Sequence, residues 1–214
     1  MSDLQISADG RLIAFLSDAG NLVPNDTNGF TDVFVADVTQ NTLTRVNLDD
    51  SGAVFKTYAD GLNENNQLSL SPNGRYLAYH SPGAIFAAPP ARYAGLVIRD
   101  LMLGINIPLT IPEGYSYNPY RVARLSQAPW SADGRFLAFG YTDFRDDATY
   151  VFDQRLGTVT ALPRSGNAPV ISADGSTIAL ATSAALVVDD VNEVGDIYLV
   201  SNPTFDIISA SSFE

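Results

Sequence analysis

Ile6-Ser7-Ala8-Asp9-Gly10-Arg11-Leu12-Ile13-Ala14-Phe15 returns three times along the chain in close copies. They are Leu70-Ser71-Pro72-Asn73-Gly74-Arg75-Tyr76-Leu77-Ala78-Tyr79, Trp130-Ser131-Ala132-Asp133-Gly134-Arg135-Phe136-Leu137-Ala138-Phe139 and Ile171-Ser172-Ala173-Asp174-Gly175-Ser176-Thr177-Ile178-Ala179-Leu180. Each copy reads as a turn between two strands. Ser opens the turn, Ala or Pro suits its first corner, Asp or Asn bonds backbone close by, and Gly supplies the positive φ that a tight hairpin with a bulge demands. After the Gly, large and small apolar residues alternate with the strand period of two.

Taken as a ruler, the turn divides the chain into four units of four strands each. A strand ends at the Ser, a second follows the Gly, a third follows a variable loop, and a fourth follows another turn. Asp32-Val33-Phe34-Val35 and Asp196-Ile197-Tyr198-Leu199 are third strands dense in β-formers. The spacings from Ser7 to Ser71 to Ser131 to Ser172 are 64, 60 and 41 residues. The shortest is the length of one four-stranded propeller blade, and the others exceed it by loops. Capped amphipathic helical runs are absent, which removes βαβ architectures. The expected fold is all-β: one β-propeller domain over 1–214, with blades at about 4–48, 67–111, 128–163 and 168–211.

Composition excludes several functions. The chain has no cysteine, hence no disulfide, thiolate metal site or cysteine nucleophile. Acidic residues outnumber basic ones 24 to 12, giving a net charge of −12, and Lys56 is the only lysine. Asp is a turn residue while Glu and Lys favour helices, so a chain of short strands and many turns drifts this way. Nucleic acid and anionic membranes need clustered positive charge and are not expected partners. No run of 18 apolar residues occurs, so no membrane insertion is expected. Met1-Ser2-Asp3-Leu4-Gln5 runs straight into the first repeat, without the basic and apolar regions of a secretory leader.

At its four turns, and in the third strands quoted above, the sequence resembles the WD40-like PD40 repeat of TolB-type bacterial β-propellers and of the propeller domains of prolyl-oligopeptidase relatives. Asn21-Leu22-Val23-Pro24-Asn25-Asp26-Thr27-Asn28-Gly29, with an echo at Ala185-Leu186-Val187-Val188-Asp189-Asp190-Val191-Asn192, is similar to the extended loop of secreted and cell-surface members. The resemblance implies a protein- or peptide-binding module in a periplasmic or extracellular setting, or an accessory propeller of a hydrolase whose catalytic domain is elsewhere. Such propellers usually carry six or more blades, and four units are visible here. Three arrangements therefore stand: a compact four-bladed ring, a fragment of a larger propeller, and half of one completed by a second copy as a homodimer. An incomplete arc exposes an apolar face at each end.

No catalytic constellation is found, and the chain is expected to be non-enzymatic. His80, the only histidine, occupies an ordinary strand position and has no Gly-x-Ser-x-Gly elbow beside it. Asp9, Asn73, Asp133 and Asp174 share one turn position on separate blades. Arg11, Arg75 and Arg135 follow the turn Gly, while Asp37, Asp100 and Asp153 end the third strand of the same units. Both places become Ser in the fourth unit, at Ser176 and Ser201, and this joint loss predicts an Arg/Asp pair inside each of the first three blades. Asp26, Asn28 and Asp32, and again Asp190, Asn192 and Asp196, share Asp-x-Asn-x-x-x-Asp. Oxygen ligands so spaced can encircle calcium, though neither stretch has the full acidic spacing of a calcium loop, and Asx-turn capping of the third strand fits as well. No other cofactor is expected. Tyr115, Tyr117, Tyr120, Arg121 and Arg124 lie in a loop where no core pattern requires them, and Tyr and Arg are the residues that anchor interfaces.

Overall fold

The computed structural model describes residues 4–49, 51–54, 68–81, 90–115, 123–142, 147–162, 167–182 and 196–205. They form fourteen strands and no helix. The chain divides into two compact units, Met1–Thr110 and Ile111–Glu214, and each holds two antiparallel sheets.

In the first unit, β1 (Leu4–Ile6), β2 (Leu12–Ser17), β3 (Asp32–Asp37) and β4 (Thr42–Arg45) make a meander in chain order. A second meander follows: β5 (Leu68–Leu70), β6 (Tyr76–His80), β7 (Tyr93–Asp100) and β8 (Ile105–Thr110). β7 pairs with β8 through a register shift between Tyr93 and Val97. Pro108 lies in the outermost strand, where its missing N–H costs no ladder bond to a further strand.

The second unit contains β9 (Phe136–Thr142), β10 (Asp147–Asp153) and β11 (Thr158–Ala161), then β12 (Asn167–Ile171), β13 (Thr177–Thr182) and β14 (Asp196–Ser201). The first strand, expected to end at Ser131, is reduced to one isolated bridge, Trp130 with Leu137, and a separate bridge joins Arg124 to Gly140. Pro129 has no amide to give, and the Ala128 carbonyl accepts from Ile171 N–H of the following sheet at 3.2 Å. The fourth blade, expected to reach 211, is described as far as Phe205.

Alternation sorts side chains onto two faces of each sheet. One face of the first sheet, with Ala14, Leu16, Val33, Val35 and Val46, packs on Leu68, Leu70, Leu77, Tyr79 and Val97 of the second. The second unit repeats the arrangement: Phe136, Ala138, Val151 and Leu162 pack on Ile171, Ile178 and Leu180. Counted from the turn serine, the same offsets recur. Residues five and seven beyond Ser7 or Ser131 point to the following sheet, and residues six and eight beyond Ser71 or Ser172 point to the preceding one.

The turns are built identically. Ser7 Oγ donates to Asp9 Oδ1 at 2.6 Å and accepts from Leu12 N–H at 2.9 Å, while Arg11 N–H donates to the same Asp9 oxygen at 3.0 Å. Ser71 with Asn73, Ser131 with Asp133 and Ser172 with Asp174 repeat this. Turns also join neighbouring sheets. Ala8 N–H donates to Pro72 C=O and Ala132 N–H to Ala173 C=O, both at 2.8 Å. At the same junctions Gly74 lies against Leu12 and Ser7, and Gly175 against Phe136 and Ser131, with φ of +72° and +81°.

Candidate functional site

The three Arg/Asp pairs foreseen from the fourth unit's double loss are formed: Arg11 Nη2 to Asp37 at 2.7 Å, Arg75 to Asp100 at 2.9 Å and Arg135 to Asp153 at 2.8 Å. Each Asp does two jobs. Oδ1 of Asp37 also accepts from the amides of Thr39 and Gln40, and Oδ1 of Asp100 from those of Met102 and Leu103, closing the outer hairpin turn. In the fourth unit Asn202 takes over, one residue later: its amide donates to Gly175 C=O at 2.8 Å and its oxygen caps Thr204.

These bonds fix the charge state. The Arg11 hydrogen bond holds the Asp37 carboxyl far below the usual carboxylate range, against a smaller opposing effect of burial. For Asp100 burial is the strongest influence and pushes upward, but Arg75 and the amides of Leu103 and Met102 together overcome it. Neither is a proton donor at neutral pH. Because both are depressed by folding, their contribution to stability is complete above the unfolded value of about 3.9 and fades as pH falls toward the folded values. The urea midpoint is therefore expected to hold at neutral pH and drop on acidification below about pH 4. Asp37→Asn, measured over the same range, should show a shallower drop; an unchanged slope would place the acid sensitivity elsewhere.

Arg11 and Arg75 line a cleft of about 450 Å³ within the first unit, together with the apolar Leu12, Val35, Val46 and Leu101 and the polar Asp37, Thr42, Thr44 and Asn73. Their side chains remain 46% and 41% exposed. Each uses Nε and Nη2 on its Asp, which leaves Nη1 without an acceptor among the described residues. Met102, also lining the cleft, is 79% exposed, and Leu103 and Ile105 beyond it are exposed too. The equivalent turn of the first sheet reads Val38-Thr39-Gln40 and that of the third Gln154-Arg155-Leu156, so Leu101-Met102-Leu103 is the apolar exception. Apolar lining residues beside two guanidinium edges suit an extended segment whose side chain enters the cleft while its carbonyl or carboxylate oxygens meet Nη1.

No protein-family model matches the chain, and no curated protein does. Solved structures do. TolB from Acinetobacter baumannii matches 93% of this chain over 40% of its own length, with TM-score 0.51 and 18% identity. A protein designated TolB from Agrobacterium tumefaciens matches 93% over 60%, with TM-score 0.50 and 17% identity. The tricorn protease matches 96% over 19% of its length, with TM-score 0.54 and 13% identity. The fold is that of a TolB-like β-propeller, or part of one. Its four sheets are blades, and the chain spans 40% and 60% of the two TolB structures.

Among the sites expected from sequence, Asp26, Asn28 and Asp32 do gather in the first blade, around a cation the sequence pattern did not include. Arg45 Nη1 reaches Asp26 at 2.9 Å and Asp32 at 3.1 Å. Asn28 and Asn47 complete the cluster by donating their amides to Asp32, while Asn28 Oδ1 accepts from Phe30 N–H. Two of the three residues considered for calcium, Asp26 and Asp32, thus share a guanidinium, while the Asn28 oxygen makes the Asx-type bond to Phe30. Asp190 and Asn192 lie outside the described residues, as do Tyr117, Tyr120 and Arg121; Asp196 opens β14. Tyr115 is 46% exposed and meets the Tyr150 ring edge-on at 5.8 Å. Arg124 exchanges two backbone bonds with Gly140, so part of this loop is tied to its own blade.

Proposed function

We propose that the chain is a non-enzymatic propeller module that binds a protein or peptide partner, with the cleft between its first two blades as the docking groove. The observation that carries this reading is the cleft itself: apolar lining residues, two half-exposed guanidinium groups, and an apolar hairpin tip where equivalent turns are mainly polar. The carboxylates nearby support binding over catalysis, since Asp37 and Asp100 are held ionised and engaged by arginine and backbone amides. The ligand class is an extended peptide with one apolar anchor. Tyr115, Arg124 and the rest of their loop would form a second contact area of the same partner or another.

The test is selection of peptides against the 214-residue chain, followed by binding to Met102→Asp. Met102 is exposed, so the melting temperature should move by about a degree at most, while affinity should fall about tenfold or more as the anchor loses its apolar contact. Selected ligands that bind Met102→Asp and the original chain equally would place recognition elsewhere. The second reading, an accessory propeller for a peptidase, draws on the likeness to the tricorn protease fold. It predicts that the chain's ligands are substrates rather than stable partners.

A further inference from the structure

In each unit the earlier blade packs on the later one through a giving face, and the later blade takes it on a receiving face. The first and the fourth blade each carry a further apolar face that neither junction uses. On the first blade it is the receiving face: Leu4 and Ile6 are 66% and 60% exposed, with Ile13 and Phe15 beside them partly exposed. By offset from the turn serine, Ile6 is the counterpart of Leu70 and Ile171, Ile13 of Leu77 and Ile178, and Phe15 of Tyr79 and Leu180. All six of those counterparts are buried against a preceding blade.

On the fourth blade it is the giving face. Ile197 and Leu199 are 77% and 72% exposed, and they pair across the sheet with Ala181 and Ala179, which stand where Leu16 and Ala14 stand in the first blade. The turn complements match as well. Ala173 N–H has no acceptor and Ala8 C=O no donor among the described residues, whereas their counterparts bond at the two junctions already formed. Gly10, unlike Gly74 and Gly175, has nothing within 4 Å of its Cβ direction. The space corresponding to that filled by Leu12 or Phe136 at the other junctions is thus open, and Thr177 is the fourth blade's counterpart of those residues.

We infer that this chain associates head to tail with a second copy of itself, the fourth blade's Ile197/Leu199 face docking on the first blade's Leu4/Ile6 face as blades one and three dock on two and four. The contact is heterologous, one face against a different one, and it reuses a junction the chain already makes twice. Neither face carries a charged side chain at these positions, so the net charge of −12 does not forbid the approach at moderate ionic strength.

Light scattering coupled to size exclusion tests this. At tens of micromolar the 214-residue chain should have the mass of two or more copies, and Ile6→Asp and Leu199→Asp should each return most of it to a single chain. Both positions are exposed in the single chain, and an unchanged melting transition for each diluted variant verifies folding. Mixing the variants should restore a two-chain species, because the Ile6→Asp copy keeps its giving face and the Leu199→Asp copy its receiving face. A single-chain mass at every concentration would overturn the inference. So would an effect of only one variant, or a mixture that does not recover.

Discussion

Gly175→Ala destabilises the protein by about 2–5 kcal/mol, whereas Gly10→Ala, at the same place in its own turn, costs about 1–2 kcal/mol. Both residues have φ well above zero, +81° and +72°, so both substitutions carry the penalty of a left-handed alanine. They differ in what the new methyl meets. At Gly175 it would lie 3.4 Å from the Ser131 Cβ and overlap the Phe136 ring of the preceding blade, while at Gly10 nothing stands within 4 Å. A packed aromatic ring cannot retreat without opening the core formed by Phe136, Ala138, Ile171 and Ile178. Gly74, facing the more pliable end of Leu12, belongs between the two. Urea denaturation of the three variants at neutral pH measures the ranking, and equal losses at positions 10 and 175 would deny the close approach of blades.

Arg45→Ala is the second large effect, a loss of about 3–5 kcal/mol from leaving paired charges uncompensated in the interior. Asp32 is fully buried and Asp26 nearly so, and Arg45 is the guanidinium between them. Asn28 and Asn47 still donate to Asp32 in the variant, but an amide carries no net charge. Asp32→Asn in the Arg45→Ala background should recover part of the loss, since it removes the stranded charge and keeps the shape. In the original protein, millimolar calcium should leave the melting temperature unchanged, because the guanidinium already holds the place between the carboxylates. A calcium-dependent rise would mean that Arg45 gives way to the metal.

Local chemistry was readable from sequence, and long-range partnership only where the repeat exposed it. The turn Ser-x-Asp-Gly announces itself because its bonds join residues two to five apart. Arg11, Arg75 and Arg135 could be matched to Asp37, Asp100 and Asp153 only because the fourth unit loses both members together. Asn202, which takes over the capping there, sits one residue beyond the matched position and escaped that comparison. Arg45 carries no comparable signal: it lies 13 residues beyond Asp32, and only the antiparallel β3–β4 register, which sets Phe34 opposite it, brings it back. The third blade's first strand failed for a visible cause, Pro129, whose consequence depended on where the Ala128 carbonyl went. The apolar run Leu101-Met102-Leu103 was a signal in plain view, an apolar turn among polar ones, and reads as a site only when a cleft is found beside it.

Within each unit the two sheets are joined turn to turn as propeller blades. Residue-resolved amide exchange at Ala132 and Ala8 tests this joining most directly. Both residues are exposed in tight turns, where an unbonded amide exchanges at nearly the rate of an unfolded chain. Because these two amides donate to Ala173 and Pro72 of the adjacent blades, they are predicted to exchange slower than that by about a hundredfold or more. Unprotected exchange at both would contradict the account.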